Sequence, residues 1–226
     1  MNFKPTVSDP KQTRATIVSV DGVELGGELR LPAEANALVL FAHGSGSGRH
    51  SPRNHRVADE LVRAGLGTFL FDLLTRQEDE ASREARFDVA LLSHRLLAAT
   101  ETVRGELERG APSPIRHYGY FGASTGAAAA LTAAAMLRPG IEAVVSRGGR
   151  PDLADDLERV RAPTLLLVGE EDTDVIPLNR DAYERLQCEK CLEFVPHAGH
   201  LFEEPGALDV VARRAADWFV THFARE

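Results

Sequence analysis

Cysteine, methionine and tryptophan are all scarce in this sequence of 226 residues, with two, two and one copies respectively. The cysteines, Cys188 and Cys191 in QCEKC, form one C-x-x-C pair without a second pair or a following histidine, so a zinc ribbon and covalent haem attachment lack support. The pair is interpreted either as a redox couple or as two cysteines that flank charged residues in a turn between a helix and a strand.

An excess of positive charge and long apolar runs are also absent from the sequence. Lys and Arg number 26 against 34 Asp and Glu, giving a formal net charge of −8, which argues against nucleic acid or an anionic membrane as the main partner. No stretch approaches the roughly 18 apolar residues of a membrane span, and the first ten residues lack the pattern of a secretion signal. The sequence therefore predicts a soluble, cytoplasmic protein with no nucleic-acid or membrane partner.

Repeats and low-complexity linkers are absent too, and the length suits one domain over residues 1–226, with 1–12 as a loosely ordered N-terminal segment. Residues 13–20 and 23–31 alternate polar and apolar around Asp21-Gly22, which is typical of an antiparallel hairpin. Later apolar runs are mostly continuous, as in strands buried on both faces of a parallel sheet. They span 37–42, 67–72, 115–122, 142–146, 163–169 and 191–196.

Helical patterns lie between these runs. They cover about 53–64, 88–109, 125–137, 153–159, 178–187 and 206–223. This alternation predicts an α/β fold: a doubly wound, mostly parallel sheet of about eight strands, with the antiparallel hairpin at one edge. Ligands bind such sheets at the carboxyl ends of the strands. Residues 73–87 are too few for a large lid, so we expect an open cleft suited to small or extended substrates.

The segment Gly122-Ala123-Ser124-Thr125-Gly126 fits G-x-S-x-G between a predicted strand and a predicted helix. That context is typical of a nucleophile elbow, in which a strained turn exposes the serine and the glycines allow strand and helix to approach closely. The alternative is small-residue packing at the start of a helix. We favour the nucleophile, because the strand-to-helix position matches the mechanical requirement.

A serine nucleophile needs a base, and the base needs an orienting acid. The sequence supplies both at the ends of later strands, with Asp172 three residues beyond Gly169 and His200 in the loop before the last helix. Each has competitors nearby. These are Glu170, Glu171 and Asp174 for the acid, and His197 for the base.

These motifs resemble an α/β-hydrolase of the dienelactone hydrolase-like group, and the likeness runs from LVLFAHGSGSGRHSPRN to GHLFEEPGALDVVARRAADWF, nearly the whole chain. The resemblance implies the α/β-hydrolase fold, with no large lid. It also assigns the nucleophile to Ser124, the acid to Asp172 in GEEDTDV and the base to His200 in AGH. The better-known members that cleave diene lactones carry cysteine at the elbow. Serine at this position favours an ordinary serine esterase.

An oxyanion hole requires two backbone N–H groups. One is that of Thr125, which follows the nucleophile at a helix N-terminus. The resemblance of HGSGSGRH to the family's His-Gly loop implies Ser45 as the second. The same glycines do not form a phosphate-binding loop, because G-x-x-x-x-G-K-[ST] is absent and Arg49 stands where G-x-G-x-x-G requires glycine.

Several basic residues follow the predicted strands and are expected at the rim of the cleft. They favour an anionic or polar acyl substrate, or else they pair with the acidic loops EEDTD and RQEDEASRE. The candidate substrate-binding residues are His43, Arg49, His50, Arg53 and Arg147.

The sequence thus predicts a carboxylesterase-like serine hydrolase that cleaves ester or lactone bonds of small molecules and requires no cofactor and no metal. Alternatives are an acyltransferase or peptidase with the same triad, and a non-catalytic binding protein with this fold. Serine at the elbow argues against haloalkane dehalogenases and epoxide hydrolases, which carry aspartate there. The last helix presents apolar residues that we expect in the core, with a homodimer interface as the alternative. They are Val210, Val211, Trp218 and Phe219.

Overall fold

The computed structural model describes residues 13–110, 113–137 and 140–224. Its strands are β1 (Arg14–Val20), β2 (Val23–Arg30), β3 (Ala37–Ala42), β4 (Gly67–Phe71), β5 (His117–Ala123), β6 (Ala143–Arg147), β7 (Thr164–Gly169) and β8 (Lys190–Val195). Its helices are α1 (Pro52–Arg63), α2 (Arg76–Ala81), α3 (Val89–Gly110), α4 (Thr125–Met136), α5 (Ile176–Arg185) and α6 (Ala207–Phe223). The N-terminal segment 1–12, predicted to be loosely ordered, lies outside the described residues.

All eight strands form one sheet in the order β1-β2-β4-β3-β5-β6-β7-β8. The pairs β1–β2 and β2–β4 are antiparallel, and every pair from β4 to β8 is parallel. The hairpin turns at Asp21 and Gly22, whose φ angles of 51° and 78° suit the tight turns that match the twist of paired strands. The predicted mostly parallel sheet with an edge hairpin is therefore confirmed.

Helices cover both faces of this sheet because its central strands are apolar on both sides. In β3, Leu38 and Leu40 pack into one apolar layer, while Val39 and Phe41 pack into the other. The first layer lies beneath α3, α4 and α5, and the second beneath α1 and α6. Of the four apolar residues of α6 expected in the core, Val211 and Phe219 are fully buried, whereas Val210 and Trp218 are partly buried and pack against the same layer.

Two helical predictions need correction. Residues 153–159 do not form a helix but two short 3₁₀ turns, Pro151–Leu153 and Leu157–Arg159. Asp156 between them has a left-handed φ of 56°, which interrupts any α-helical run. The helix α2, conversely, lies inside the segment 73–87 that was predicted only as a connection. Other predicted strands and helices agree with the structure to within two residues at each end.

None of the helices in the described ranges combines the length and apolar character that a membrane span requires.

Cys188 and Cys191 are both free thiols, and burial raises the pKa of each. Cys191 lies in β8, and Cys188 lies just before it, where its thiol contacts the Thr164 hydroxyl. Cys188 therefore lies in the connection between α5 and β8, as one of the two interpretations expected, whereas Cys191 belongs to the strand.

Candidate active site

Ser124 occupies the sharp turn between β5 and α4 and has φ 51° and ψ −123°. A Cβ at Gly122 would lie 2.4 Å from Ala127 Cα, and a Cβ at Gly126 would lie 2.2 Å from the Ala42 carbonyl oxygen. Both glycines are therefore required by close backbone approach. A non-glycine residue at such a φ costs about 1–3 kcal/mol, which the surrounding structure must offset.

Backbone hydrogen bonds hold the strained turn in place. The Ser124 N–H donates to the Arg147 carbonyl at 3.2 Å, and the Ser124 carbonyl accepts from the N–H groups of Ala127 at 3.0 Å and Arg150 at 3.1 Å. Ser124 itself stays partly exposed, whereas its neighbours Ala123 and Thr125 are buried. The arrangement presents the Ser124 side chain at the carboxyl edge of the sheet.

An imidazole and a carboxylate meet at the same edge. His200 Nδ1 lies 2.7 Å from Asp172 Oδ2, with Asp172 only 9% exposed and the His200 side chain 38% exposed. This bond occupies Nδ1 and leaves Nε2 for proton transfer. The structure thus pairs the two residues that the sequence ranked first.

The competing acids and the competing histidine take other places. Glu171 and Asp174 are exposed, while Glu170 accepts a hydrogen bond from the His197 N–H at 3.1 Å. His197 has a φ of 57° and is exposed. Of these groups, Glu170 therefore shapes the turn that leads to His200.

The loops that carry Asp172 and His200 are joined through their backbones. The N–H of Glu170 donates to the Val195 carbonyl at 3.0 Å, and that of Glu171 donates to the Ala198 carbonyl at 3.0 Å. Gly169 makes this possible, because a Cβ there would lie 2.2 Å from the Ala198 carbonyl oxygen. The acid and the base consequently share one rigid frame.

Glu204 is a supporting residue that the sequence reasoning missed. Its Oε1 accepts from the Gly199 N–H at 3.0 Å, directly before His200. The only sequence signal is an acidic pair shortly after Gly199-His200, which is common in the first residues before a helix. Its contact could not be assigned without the fold.

The segment 147–149 lies next to both Ser124 and His200, since the Arg147 carbonyl accepts the Ser124 N–H and Gly148 packs against His200. A Cβ at Gly148 would lie 3.6 Å from His200 Nδ1 and 3.1 Å from the His200 carbonyl oxygen. Among the described residues, no hydrogen bond joins the Ser124 hydroxyl directly to His200. Bonds between nucleophile and base commonly tighten only when substrate binds.

The loop from β3 to α1, residues 43–51, lies against the elbow. A Cβ at Gly44 would lie 3.0 Å from Ser124 Cβ, so the neighbouring Ser45 is close to the turn. Within the described ranges, the N–H groups of Ser45 and Thr125 have no acceptor in the chain. Thr125 begins α4, where the helix dipole favours an anion.

Both ring nitrogens of the buried His43 are used by the fold. Its Nε2 accepts the Leu73 N–H at 2.9 Å, so the ring proton lies on Nδ1, which donates to the Gly44 carbonyl at 3.0 Å. Burial lowers the pKa of this histidine and keeps it neutral. These bonds position the loop 43–51, and the expected contact of His43 with substrate stays a prediction.

The candidate basic residues of the rim separate into paired and unpaired groups. Arg49 forms a salt bridge with Asp72, His50 contacts Glu28 at 3.0 Å, and Arg53 pairs with Glu203 at 3.2 Å. None of these acids belongs to the two loops suggested by the sequence. Arg49 and His50 thus each have a partner within the chain, and their role as substrate contacts stays a prediction.

Arg147 differs from the other basic residues. It is 7% exposed, and its Nε and one terminal nitrogen have no hydrogen-bond partner in the described chain. Burial and the nearby Arg53 lower its pKa to about 10. Its guanidinium carbon lies 5.9 Å from the centre of the Phe202 ring. The Arg147 side chain is thus a buried cation with unused donors, and the backbone carbonyl of the same residue accepts the Ser124 N–H.

Comparisons with known proteins agree with this fold. No protein-family model matches the chain. A crystal structure of a dienelactone hydrolase from Anabaena variabilis is 51% identical, covers 95% of this chain and 99% of its own, and superimposes with a TM-score of 0.88. An esterase of Pyrococcus furiosus is 16% identical with a TM-score of 0.76, over 97% of this chain and 96% of its own, which supports the fold alone.

The sheet order, the helices on both faces and these structures define an α/β-hydrolase fold. The identity and the nearly complete mutual coverage with the Anabaena protein assign the chain to the dienelactone hydrolase family. A Mycobacterium tuberculosis protein named "Putative phosphoribosyl transferase" is 49% identical over 217 residues, which are 95% of this chain. The chain spans only 48% of that relative's length.

Proposed function

We propose that the chain is a serine hydrolase that cleaves carboxylic ester or lactone bonds of small substrates. The observation that carries the proposal is the 2.7 Å bond between the buried Asp172 carboxylate and His200, at the sheet edge that also holds the strained Ser124 turn. The shared family with a dienelactone hydrolase supports the same class of substrate.

In this mechanism the Ser124 oxygen attacks the substrate carbonyl while His200 Nε2 takes the hydroxyl proton. Asp172 orients the imidazole and stabilises its cationic form. The N–H groups of Thr125 and Ser45 donate to the oxyanion of the tetrahedral intermediate. His200 then returns the proton to the leaving oxygen, and an acyl-enzyme remains. Water, activated by His200, hydrolyses this ester and restores Ser124, so no step calls for a cofactor or metal.

A fluorophosphonate probe tests the nucleophile without knowledge of the substrate. We expect one stoichiometric adduct by intact mass, mapped by peptide analysis to Ser124, and none in Ser124→Ala. Ser19→Ala, at an exposed position of the edge strand β1, is the matched control and should label like the wild type. Ester turnover should fall by about 10⁴ to 10⁶ in Ser124→Ala.

A folded wild type that forms no adduct would refute the mechanism and favour the non-catalytic binding protein. Acyl transfer and peptide cleavage remain alternatives with the same triad. Product analysis with an added alcohol or amine acceptor separates transfer from hydrolysis, since a transferase yields the new ester or amide in preference to the free acid.

Phosphoribosyl transfer, named for the mycobacterial relative, is not the reaction we assign to this chain. The relative is about twice as long as the matched region, and the glycine-rich segment 44–48 lacks the spacing of a phosphate loop. Release of diphosphate from phosphoribosyl diphosphate by the purified chain would contradict this assignment.

We further propose that Arg147 selects acyl groups with a carboxylate. Its unused buried donors would gain charge-assisted hydrogen bonds worth about 1.5–3 kcal/mol. Arg147→Met should lower the preference for carboxylate-bearing over neutral esters, measured as a ratio of kcat/KM values, by about tenfold to hundredfold. Arg53→Ala should lower it less, because Arg53 is already paired.

Arg150→Ala is the matched control, because this arginine follows the same strand but forms two hydrogen bonds to Asp152. It should leave the preference unchanged. An unaltered ratio in both Arg147→Met and Arg53→Ala would show that the anion preference does not depend on these arginines.

A further inference from the structure

Two histidines share one carboxylate on the surface beside the loop 43–51. His50 Nδ1 lies 3.0 Å from Glu28 Oε1, and His55 Nε2 lies 3.6 Å from Glu28 Oε2. One ligand atom from each residue falls within 4.8 Å of the others. Throughout the described ranges, this is the one group of three or more His, Cys, Asp or Glu side chains with such spacing. We call it the Glu28 cluster.

Contacts outside the cluster hold its three backbones in place. Glu28 lies on β2, where it pairs with Leu70 of β4 in the sheet. His50 immediately precedes Ser51, which caps α1, and His55 lies one turn into the helix, with its N–H bonded to the Ser51 carbonyl at 3.0 Å. The three side chains meet because a sheet strand and a helix start are fixed next to each other.

The donor set matches the chemistry of borderline divalent metals. Imidazole nitrogens suit zinc, copper, nickel and iron, whereas calcium and magnesium prefer oxygen ligands alone. Tetrahedral ligands at about 2.0–2.1 Å from zinc are roughly 3.4 Å apart. Here each imidazole nitrogen lies 3.0 or 3.6 Å from a different oxygen of Glu28, and one ligand atom from each of the three residues falls within 4.8 Å of the others. The His50 side chain is 69% exposed, which gives an ion access from solution.

We propose that Glu28, His50 and His55 form a binding site for a divalent transition-metal ion such as Zn²⁺. Two imidazoles and one carboxylate supply three ligands, and water completes the tetrahedron. Other histidine–carboxylate pairs in the chain, such as His94 with Asp21 at 2.7 Å, offer a single imidazole. They serve as internal comparisons.

Binding would join β2 to the start of α1 and to the loop that carries Ser45. An ion that binds only the folded chain stabilises it by RT ln(1 + L/Kd), where L is the concentration of free ion. The site is independent of the proposed hydrolysis, so it can be tested by readouts other than activity. Its prediction is a stoichiometric metal complex that raises the melting temperature.

The test uses the full chain without a polyhistidine tag. Zn²⁺ binding is measured by calorimetry, Co²⁺ binding by its visible absorption, and stability by thermal unfolding with and without Zn²⁺. We expect one ion per chain, a Co²⁺ spectrum typical of tetrahedral nitrogen and oxygen ligands, and a higher Tm with Zn²⁺. His50→Ala, His55→Ala and Glu28→Gln should each weaken binding by at least about tenfold.

His94→Ala is the matched control and should bind Zn²⁺ like the wild type. His50→Ala should fold like the wild type, because the exposed His50 side chain adds little to the core. Weaker Zn²⁺ binding in this variant would therefore reflect the missing ligand and not a folding defect. Zn²⁺ affinity that is unchanged in His50→Ala, or lost instead in Cys188→Ser or His200→Ala, would overturn the proposal. So would the absence of stoichiometric binding in the wild type.

Discussion

His43 shows how one buried side chain can fix the position of a loop at the candidate site. Its two ring nitrogens bridge the Leu73 N–H and the Gly44 carbonyl, and so tie the end of β4 to the loop that carries Ser45. A charged ring could not accept from Leu73. Protonation would therefore both bury a charge and break the bridge.

We predict that His43 makes stability depend on pH. Burial lowers its pKa below the usual 6.5, so its contribution is complete above about pH 6.5 and is lost as pH falls through the lower folded value. Urea unfolding from pH 7 to pH 5 should show a steeper loss in the wild type than in His43→Gln, whose amide oxygen can still accept from Leu73. Equal slopes in the two proteins would contradict this role.

Single residues differ in how far the sequence reveals them. The glycines around Ser124 are required by the strand-to-helix turn alone, because any Cβ there would meet backbone atoms. The close approach of strand and helix at this turn could therefore be predicted from the sequence. The pairing of Arg49 with Asp72 was not predictable, because Asp72 follows β4 and only the tertiary fold brings it alongside the loop 43–51. The unpaired state of Arg147 was hidden for the same reason.

At the scale of elements, α2 is the part that the sequence analysis did not foresee. Its start is a capping box: the Glu78 N–H donates to the Thr75 hydroxyl at 3.2 Å, and the Thr75 N–H donates to the Glu78 carboxylate at 2.8 Å. The spacing T-x-x-E was visible, but six residues give too little periodicity to predict a helix. Arg95 of α3, buried and bonded to Glu78 at 2.6 and 3.1 Å, fixes α2 against the domain.

We predict that Glu78→Gln loosens this element. Hydrogen bonds from Arg95 hold the Glu78 pKa at about 2, so its stabilisation is present above about pH 4.5 and is lost as pH falls toward 2. Removing the charge should lower the free energy of unfolding by about 1–3 kcal/mol at pH 7, because buried Arg95 loses its counter-ion. The difference from wild type should shrink at pH 3.

Glu80→Gln provides the control for that experiment. Glu80 lies on the same short helix but pairs with Arg76 in an exposed salt bridge, which contributes little in water. Its loss should leave the denaturation midpoint unchanged. An equal loss in both variants would show that the charge of the segment, and not the contact with Arg95, is what matters.

The whole molecule is organised as two apolar layers that share one sheet. Alternate residues of the same strands enter opposite layers, as Leu40 and Phe41 do in β3. If the strands separated from one layer, the apolar residues of the other layer would also become exposed to solvent. The sequence predicted this arrangement because parallel strands buried on both faces must be apolar throughout, whatever their exact neighbours.

We predict a single cooperative unfolding transition. Trp218, the one tryptophan of the sequence, lies on α6, and its indole N–H donates to the Pro163 carbonyl at 3.3 Å, so its fluorescence reports on the layer beneath α1 and α6. Far-UV circular dichroism reports on all helices. Both signals should change at the same urea concentration, and a Trp218 transition at lower urea would show that the α6 layer separates first.

Oligomeric state did not follow from the sequence, since an apolar helix face fits a core as well as an interface. The structure assigns Val211 and Phe219 to the core and leaves Val220 of the same helix 43% exposed. The homodimer therefore stays a prediction, to be checked by light scattering.

The backbone hydrogen bonds between the loops after β7 and β8 also bear on how this scaffold can be re-engineered. An insertion in either loop would break the bonds of Glu170 and Glu171 and would shift Asp172 and His200 together. The segment 73–87 instead meets the site from outside that frame, with Leu74 and Arg86 beside Ser45 and Gly46. A library of variants aimed at new substrates should therefore vary length and side chains in 73–87 and leave 169–172 and 195–200 untouched.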